Sequence, residues 1–192
     1  QTLVNIRHKP FFILYHPNTL HNNPYSYPLD RFAFVNSSIV DYRVENDRLV
    51  YDLLRFKEVD NMSYENYSEI AQMVYSQQLK YVDDELGVLF DLLTDSDFLN
   101  NTIIVFYAGH GEGLGDNNVL RHGVSYQSNI HVPLIIRHPN VNSVIRVKEP
   151  ISLVDLVPTV YEMLGIDIEY NISGTSLVPL IKGEEYEKQY IY

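Results

Sequence analysis

Unbroken apolar runs recur along this chain around one long stretch of helical period. Phe11-Phe12-Ile13-Leu14-Tyr15, directly after Pro10, predicts a strand buried on both faces, the kind found inside parallel sheets. Thr102–Tyr107 and Val132–Arg137 predict two more strands of that kind. Between the first run and the second, from Tyr64 to about Leu93, the pattern becomes a helix: Ala71, Tyr75, Leu79, Val82, Leu86, Leu89 and Leu93 recur at spacings of 4, 4, 3, 4, 3 and 4. Asp83, Asp84, Glu85 and Asp91 fall mostly off that stripe and are expected to face water. Asp95-Ser96-Asp97 should end the helix, and Asn100-Asn101 should turn the chain into the next strand. A shorter helix is predicted at Leu153–Leu164, with Ser152 as N-cap and Gly165 closing it. Residues 26–60 mix charged and apolar positions without a period and read as an insertion with a short hairpin or helix. Strand, long helix, strand and helix in this order predict an α/β fold, a largely parallel sheet sandwiched by helices.

Composition narrows what such a chain does. With 14 Lys+Arg against 25 Asp+Glu the net charge is −11, which argues against a nucleic-acid or anionic-membrane partner. No apolar run approaches the roughly 18 residues of a membrane span. The first residues have neither the charged start nor the apolar core of a signal peptide. They also lack an initiating Met, so the chain is expected to begin partway through something longer. There is no cysteine, which removes disulfides, thiolate metal sites and cysteine nucleophiles from this chain and leaves the redox compartment open. Asn-x-Ser/Thr sequons at Asn36, Asn61, Asn66, Asn100 and Asn171 are close to background for so Asn-rich a chain.

The chemistry-bearing candidates are histidines placed where buried strands should end. In open α/β sheets ligands bind beyond the carboxyl ends of strands. His21 lies in the proline-punctuated loop after the first strand, and His110 and His122 follow the Thr102–Tyr107 strand. Imidazole exchanges protons near neutral pH and binds borderline metals. Gly109, Gly111, Gly113 and Gly115 let backbone approach a ligand closely. On these features alone, a tight strand-to-loop turn with solvated histidines is the stronger reading. His131 and His138, flanking the third strand, read as structural or solvated. Asp155 reads as a helix-start residue beside the N-terminal dipole.

Five motifs in order change that balance. Lys9-Pro10-Phe11-Phe12-Ile13-Leu14-Tyr15 with His21-x-x-Pro24-Tyr25 comes first. Tyr75-x-x-x-Leu79-x-x-Val82-Asp83-x-x-x-Gly87-x-Leu89 is next, followed by Asn101-Thr102-Ile103-Ile104-Val105-Phe106 leading to His110-Gly111-Glu112-Gly113-Leu114-Gly115. His122-Gly123 with Val132-Pro133-Leu134-Ile135-Ile136 is fourth. Val154-Asp155-Leu156-Val157-Pro158-Thr159 closes the series, with Gly165 and Gly174-x-Ser176-Leu177. This order resembles the C-terminal part of a sulfatase, in the alkaline-phosphatase-like superfamily. Residues 1–183 would then be the C-terminal portion of one such α/β domain, incomplete by itself, with 26–60 inserted and 184–192 an acidic tail.

The resemblance implies a sulfuric ester hydrolase acting on a small-molecule or glycan sulfate ester. His110 would be a ligand of a divalent ion, calcium by family habit with zinc or manganese as the alternative. His21 and His122 would contact the sulfate group and serve the leaving oxygen. A cation and oriented donors stabilise the charge that builds as a sulfate ester departs. Two departures stand out. Gly109 occupies the position of the family's Asp, so one metal carboxylate is missing and ion binding by this chain is in question; Glu112 and Asp116 do not sit at the matching position. The Cys/Ser-x-Pro-x-Arg nucleophile motif is absent too, and would lie in a preceding half. This chain alone is therefore expected to be inactive, and to need that missing half or a second copy as partner.

Other readings compete. A phosphodiesterase or phosphoethanolamine-transferase-like enzyme of the same superfamily would use Ser or Thr and zinc or manganese, which imidazoles at 110 and 122 suit better than calcium. A non-catalytic relative kept for binding would explain Gly109. A caspase-like reading of Ala108-Gly109-His110-Gly111 fails for want of a cysteine. An extracytoplasmic setting, periplasmic, secreted or lysosomal, follows from the resemblance alone.

Overall fold

The computed structural model describes residues 10–17, 20 and 64–186. The predicted insertion over 26–60, the loop carrying His21 and the end of the acidic tail lie outside the described residues. Two units pack separately, Gln1–Pro139 and Asn140–Tyr192.

In the first unit the periodic stretch forms α1, Tyr64–Asp95. Ala71, Val82 and Leu93 are its buried apolar side chains. The predicted stripe is displaced at one point: Gln78 is 6% exposed while Leu79 is 43% exposed. Position 78 lies three residues after Tyr75 and four before Val82, so helical spacing admits it to the face as readily as position 79. Lys80 pairs with Asp84 at 2.9 Å on the solvent side, an i,i+4 pair of small net value.

A turn at Ser96–Asp97 and a 3-10 turn at Leu99–Asn101 lead to β1, Ile104–Tyr107. After a single helical turn α2, Gln127–Ile130, comes β2, Leu134–Arg137. β1 and β2 pair antiparallel, with Ile104 opposite Arg137 and Tyr107 opposite Leu134. Arg137 Nη1 donates to the carbonyls of Leu99 at 2.6 Å and Thr102 at 3.2 Å, fixing the entry to β1. The largely parallel sheet expected from the apolar runs is not formed by these two strands, and among the described residues no third strand joins them. An apolar run encodes burial, not strand direction. Nor is any residue of either strand buried among the described residues.

The run at Phe11–Tyr15 is not a strand. Residues 10–17 carry no regular structure, and Phe12 and Leu14 are 85% and 67% exposed. A strand joins a ladder of backbone bonds, and among the described residues this segment belongs to no sheet. It meets α1 and the following turn through side chains: Tyr15 donates to Glu85 Oε2 at 3.0 Å, and Phe11 packs edge-on against Phe98 with centroids 5.3 Å apart.

In the second unit a 3-10 turn at Leu153–Asp155 runs into α3, Leu156–Leu164. Gly165 ends it at φ 65°, the left-handed cap expected from the sequence. α4, Val178–Lys182, follows. Asp155, 6% exposed, accepts from the Ser152 and Thr175 amides, both at 2.9 Å. The fully buried Thr159 hydroxyl donates to the Asp155 carbonyl at 2.5 Å and accepts from the Leu177 amide at 2.9 Å. The Val154 carbonyl presses on Gly174, where a Cβ would overlap it. Asp155 is thus the helix-start residue the sequence suggested, and it also fastens the 174–177 loop to α3. No helix among the described residues is long and apolar enough to cross a membrane.

Candidate functional site

β1 ends at Tyr107, and the chain then passes through Ala108 and Gly109 to His110. Past Glu112 it doubles back: the amides of Gly113, Leu114 and Gly115 donate to the carbonyls of Arg121 (3.1 Å), Leu120 (3.0 Å) and Val119 (2.9 Å). The turn itself is the 3-10 segment Asp116–Asn118, with Asn117 at φ 50° and Asn118 at φ 60°. Asn tolerates this left-handed region better than other side-chain-bearing residues. Gly113 is required by contact, because a Cβ there would run into the Val119 carbonyl. One step before the Gly113–Arg121 pair, the fold sets Glu112 against His122.

The His122 Nδ1 to Glu112 Oε1 distance is 2.6 Å. A carboxylate only accepts, so this bond assigns the proton to Nδ1 and leaves Nε2 as the lone-pair nitrogen of the neutral ring. His110 Nδ1 likewise donates, to the Gly111 carbonyl at 3.0 Å. The two imidazoles lie with centroids 4.1 Å apart and planes inclined by 32°. One donor atom from each of His110, Glu112 and His122 falls within 4.8 Å of the others. His122 and Glu112 are partly shielded, with side chains 27% and 14% exposed, while His110 is exposed.

The surroundings hold this arrangement from two sides. Asn129, 3% exposed, brackets His122: its Oδ1 lies 3.4 Å from the Val124 amide and its Nδ2 3.5 Å from the Arg121 carbonyl. The Asn129 carbonyl accepts from the Gly111 amide at 2.8 Å, joining both limbs of the loop to α2. On the other side Ser68 Oγ and Gln72 Nε2 of α1 donate to the Leu114 carbonyl at 2.8 and 3.0 Å. Tyr75, also on α1, has its hydroxyl pKa raised above 10.0, first by burial and then by the negative charge of Glu112.

Of the residues singled out from the sequence, His110 and His122 come together and His21 lies outside the described residues. Asp116 sits exposed at the tip of the turn. His131 is exposed at the end of α2 and His138 half-buried after β2. Glu112 is the site residue that spacing alone undervalued. Its signal was present: Glu112 and His122 are equidistant from Asn117, the centre of an Asp-Asn-Asn turn, so a doubling-back chain brings them face to face. Nothing in the spacing marked Ser68, Gln72 or Asn129.

Two imidazoles and one carboxylate form a donor set suited to a borderline divalent ion. Calcium takes six to eight oxygens, and the described cluster offers a single carboxylate for it. Gly109 contributes no ligand, yet a Cβ there would meet nothing within 4 Å, and its φ is not in the left-handed region.

His110, Glu112 and His122 thus gather just past the end of β1. The sulfatase family model matches residues 1–166, and the chain belongs to that family. It is 36% identical over 99 residues to arylsulfatase K of Xenopus laevis, which covers 52% of this chain and 18% of that protein. It is 30% identical over 118 residues to choline-sulfatase of Rhizobium meliloti (strain 1021), covering 60% and 23%. In structure it is similar to a phosphonate monoester hydrolase from Silicibacter pomeroyi, with a TM-score of 0.63, 27% identity and coverage of 78% of this chain and 31% of that one. The chain therefore spans about a fifth of the length of these curated relatives.

Proposed function

We propose that residues 1–183 are the C-terminal portion of a hydrolase that cleaves sulfate esters, small-molecule or glycan, and that His110, Glu112 and His122 belong to its active site. One observation carries this reading beyond family membership: Glu112 holds His122 at 2.6 Å beside His110. The paired carboxylate fixes the ring through Nδ1, so that Nε2 is the ring atom left to give a proton to the departing ester oxygen. Donation there neutralises charge as the sulfur–oxygen bond breaks. His21 is assigned to the sulfate oxygens on the family pattern. The nucleophile is assigned on the family pattern to a Cys or Ser outside this chain, which has no cysteine and no Cys/Ser-x-Pro-x-Arg motif.

His110 is the residue assigned to a divalent cation, with the Glu112 carboxylate beside it. Such an ion, when bound, supplies positive charge opposite the sulfate. The donor set favours a borderline ion of the zinc or manganese class over calcium unless oxygens from elsewhere complete the shell. An extracytoplasmic setting goes with the family assignment.

The test is turnover by the complete polypeptide that carries this chain, on aryl sulfate, aryl phosphate and a phosphonate monoester in parallel. Aryl sulfate should be hydrolysed, and His122→Ala should lower kcat by roughly 10²- to 10⁴-fold, the usual reach of general acid catalysis. Turnover of the phosphorus esters with none of the sulfate would overturn the substrate assignment. Failure on all three would favour a binding protein that has kept the fold.

A further inference from the structure

We propose that Ser68 and Gln72 of α1 are positioning residues of the site: by holding the Leu114 carbonyl they keep the 113–121 loop doubled back and thereby keep Glu112 on His122.

Leu114 is the point of weakness in that loop. Its φ is 48°, the left-handed region that a branched, non-glycine residue rarely occupies unless its surroundings impose it. Both of its backbone polar groups are engaged, on opposite sides. The amide donates across the loop to Leu120 at 3.0 Å. The carbonyl accepts from Ser68 Oγ at 2.8 Å and Gln72 Nε2 at 3.0 Å, residues 46 and 42 positions earlier. Gln72 Nε2 also reaches Ser68 Oγ at 3.1 Å, so the two side chains form one unit. At the next residue, Gly115, a Cβ would overlap Ser68 Oγ; the loop backbone rests directly on the helix there.

The consequence propagates over two residues. Without the tether Leu114 is drawn toward negative φ, which rotates its amide away from Leu120 and loosens the Gly113–Arg121 pair beside it. Glu112 and His122 are the next pair along, joined by the Nδ1–Oε1 bond. A helix face remote in sequence thus sets the orientation of the imidazole. Only the effect on turnover rests on the function proposed above; the Glu112–His122 bond is observable by itself.

The experiment is imidazole NMR on the ¹⁵N-labelled chain, following the His122 Nδ1–H resonance that the carboxylate bond shelters from water. Gln72→Glu keeps side-chain length but presents an acceptor to the Leu114 carbonyl, and should bleach that resonance. Gln72→Lys restores a donor and should retain it. Asp155→Asn, in the other unit, serves as a destabilised control and should leave the resonance in place. A Gln72→Glu chain with the wild-type resonance overturns the tether, as does a Gln72→Lys chain that loses it as fully as Gln72→Glu. Equal loss in Asp155→Asn would reduce the effect to general destabilisation and overturn it too. Ser68→Ala, which removes one of the two donors, should weaken the resonance without abolishing it; no change would count against the proposal. Absent aryl-sulfate turnover alongside these expected spectra would defeat the functional reading and leave the tether standing.

Discussion

Glu112 and His122, ten residues apart in sequence, meet at 2.6 Å because the loop between them folds back about Asn117. Glu112→Gln keeps the shape but replaces the carboxylate acceptor of the His122 Nδ1 bond by a neutral amide. Activity of the complete polypeptide should fall roughly 10- to 100-fold, as for partners that orient a working histidine. The loss should appear in kcat and leave KM close to wild type. A Gln variant with unchanged kcat would show that the carboxylate does nothing for the imidazole.

The space beside Gly109 makes a gain-of-binding experiment available. Gly109→Asp meets no steric obstacle and no left-handed backbone, and it places a second carboxylate next to His110. Divalent-ion affinity, measured by calorimetry on the chain, should rise at least about tenfold, because charge count in the ligand set tunes such sites. The gain should be larger for calcium than for zinc, since the added donor is an oxygen. No gain for either ion would mean that position 109 does not face the cluster.

Tyr75 gives the site a signature at alkaline pH. Its hydroxyl pKa lies above the ordinary 10.0, through burial and then the Glu112 charge. The folded state therefore holds this proton more tightly than the unfolded chain does. The associated stability is fully present below pH 10.0 and is lost as pH rises through the folded value. Tyr75→Phe should flatten that part of the alkaline decline in stability, read from denaturant midpoints across pH. Glu112→Gln should lower the Tyr75 pKa toward normal in a titration of labelled tyrosine, burial accounting for what remains.

In the second unit Asp155 accepts two amides with two oxygens. Asp155→Asn leaves one of them facing an NH₂ group, and should cost about 1–3 kcal/mol of that unit's stability. Thr159→Val should cost a similar amount, because the Leu177 amide loses its acceptor. Chemical denaturation checks both.

Much of this was legible in the sequence where local rules decide the outcome. The period of α1 and the Gly165 cap specify their own conformations. His110 and His122 were singled out by the sulfatase-like order of motifs, and the structure sets their rings side by side. What eluded sequence reasoning is set by partners. Phe11–Tyr15 has the composition of a buried strand, but composition does not supply a neighbour to pair with. The direction of β2 relative to β1 depends on how the intervening chain returns. Gln78 displaces Leu79 from the helix face because both positions satisfy the spacing. Ser68 and Gln72 matter through one carbonyl more than forty residues away, which no local pattern announces.

Arg137 grips the Leu99 and Thr102 carbonyls at the end of the strand pair opposite His110. The pair is therefore clamped at its root and carries its reactive groups at its tip. Sequence drift at the root, around residues 99–102, would be felt as lost folding, whereas drift at 109–123 would alter the His110–Glu112–His122 cluster. A lineage could retune the tip repeatedly while the clamp stays the same.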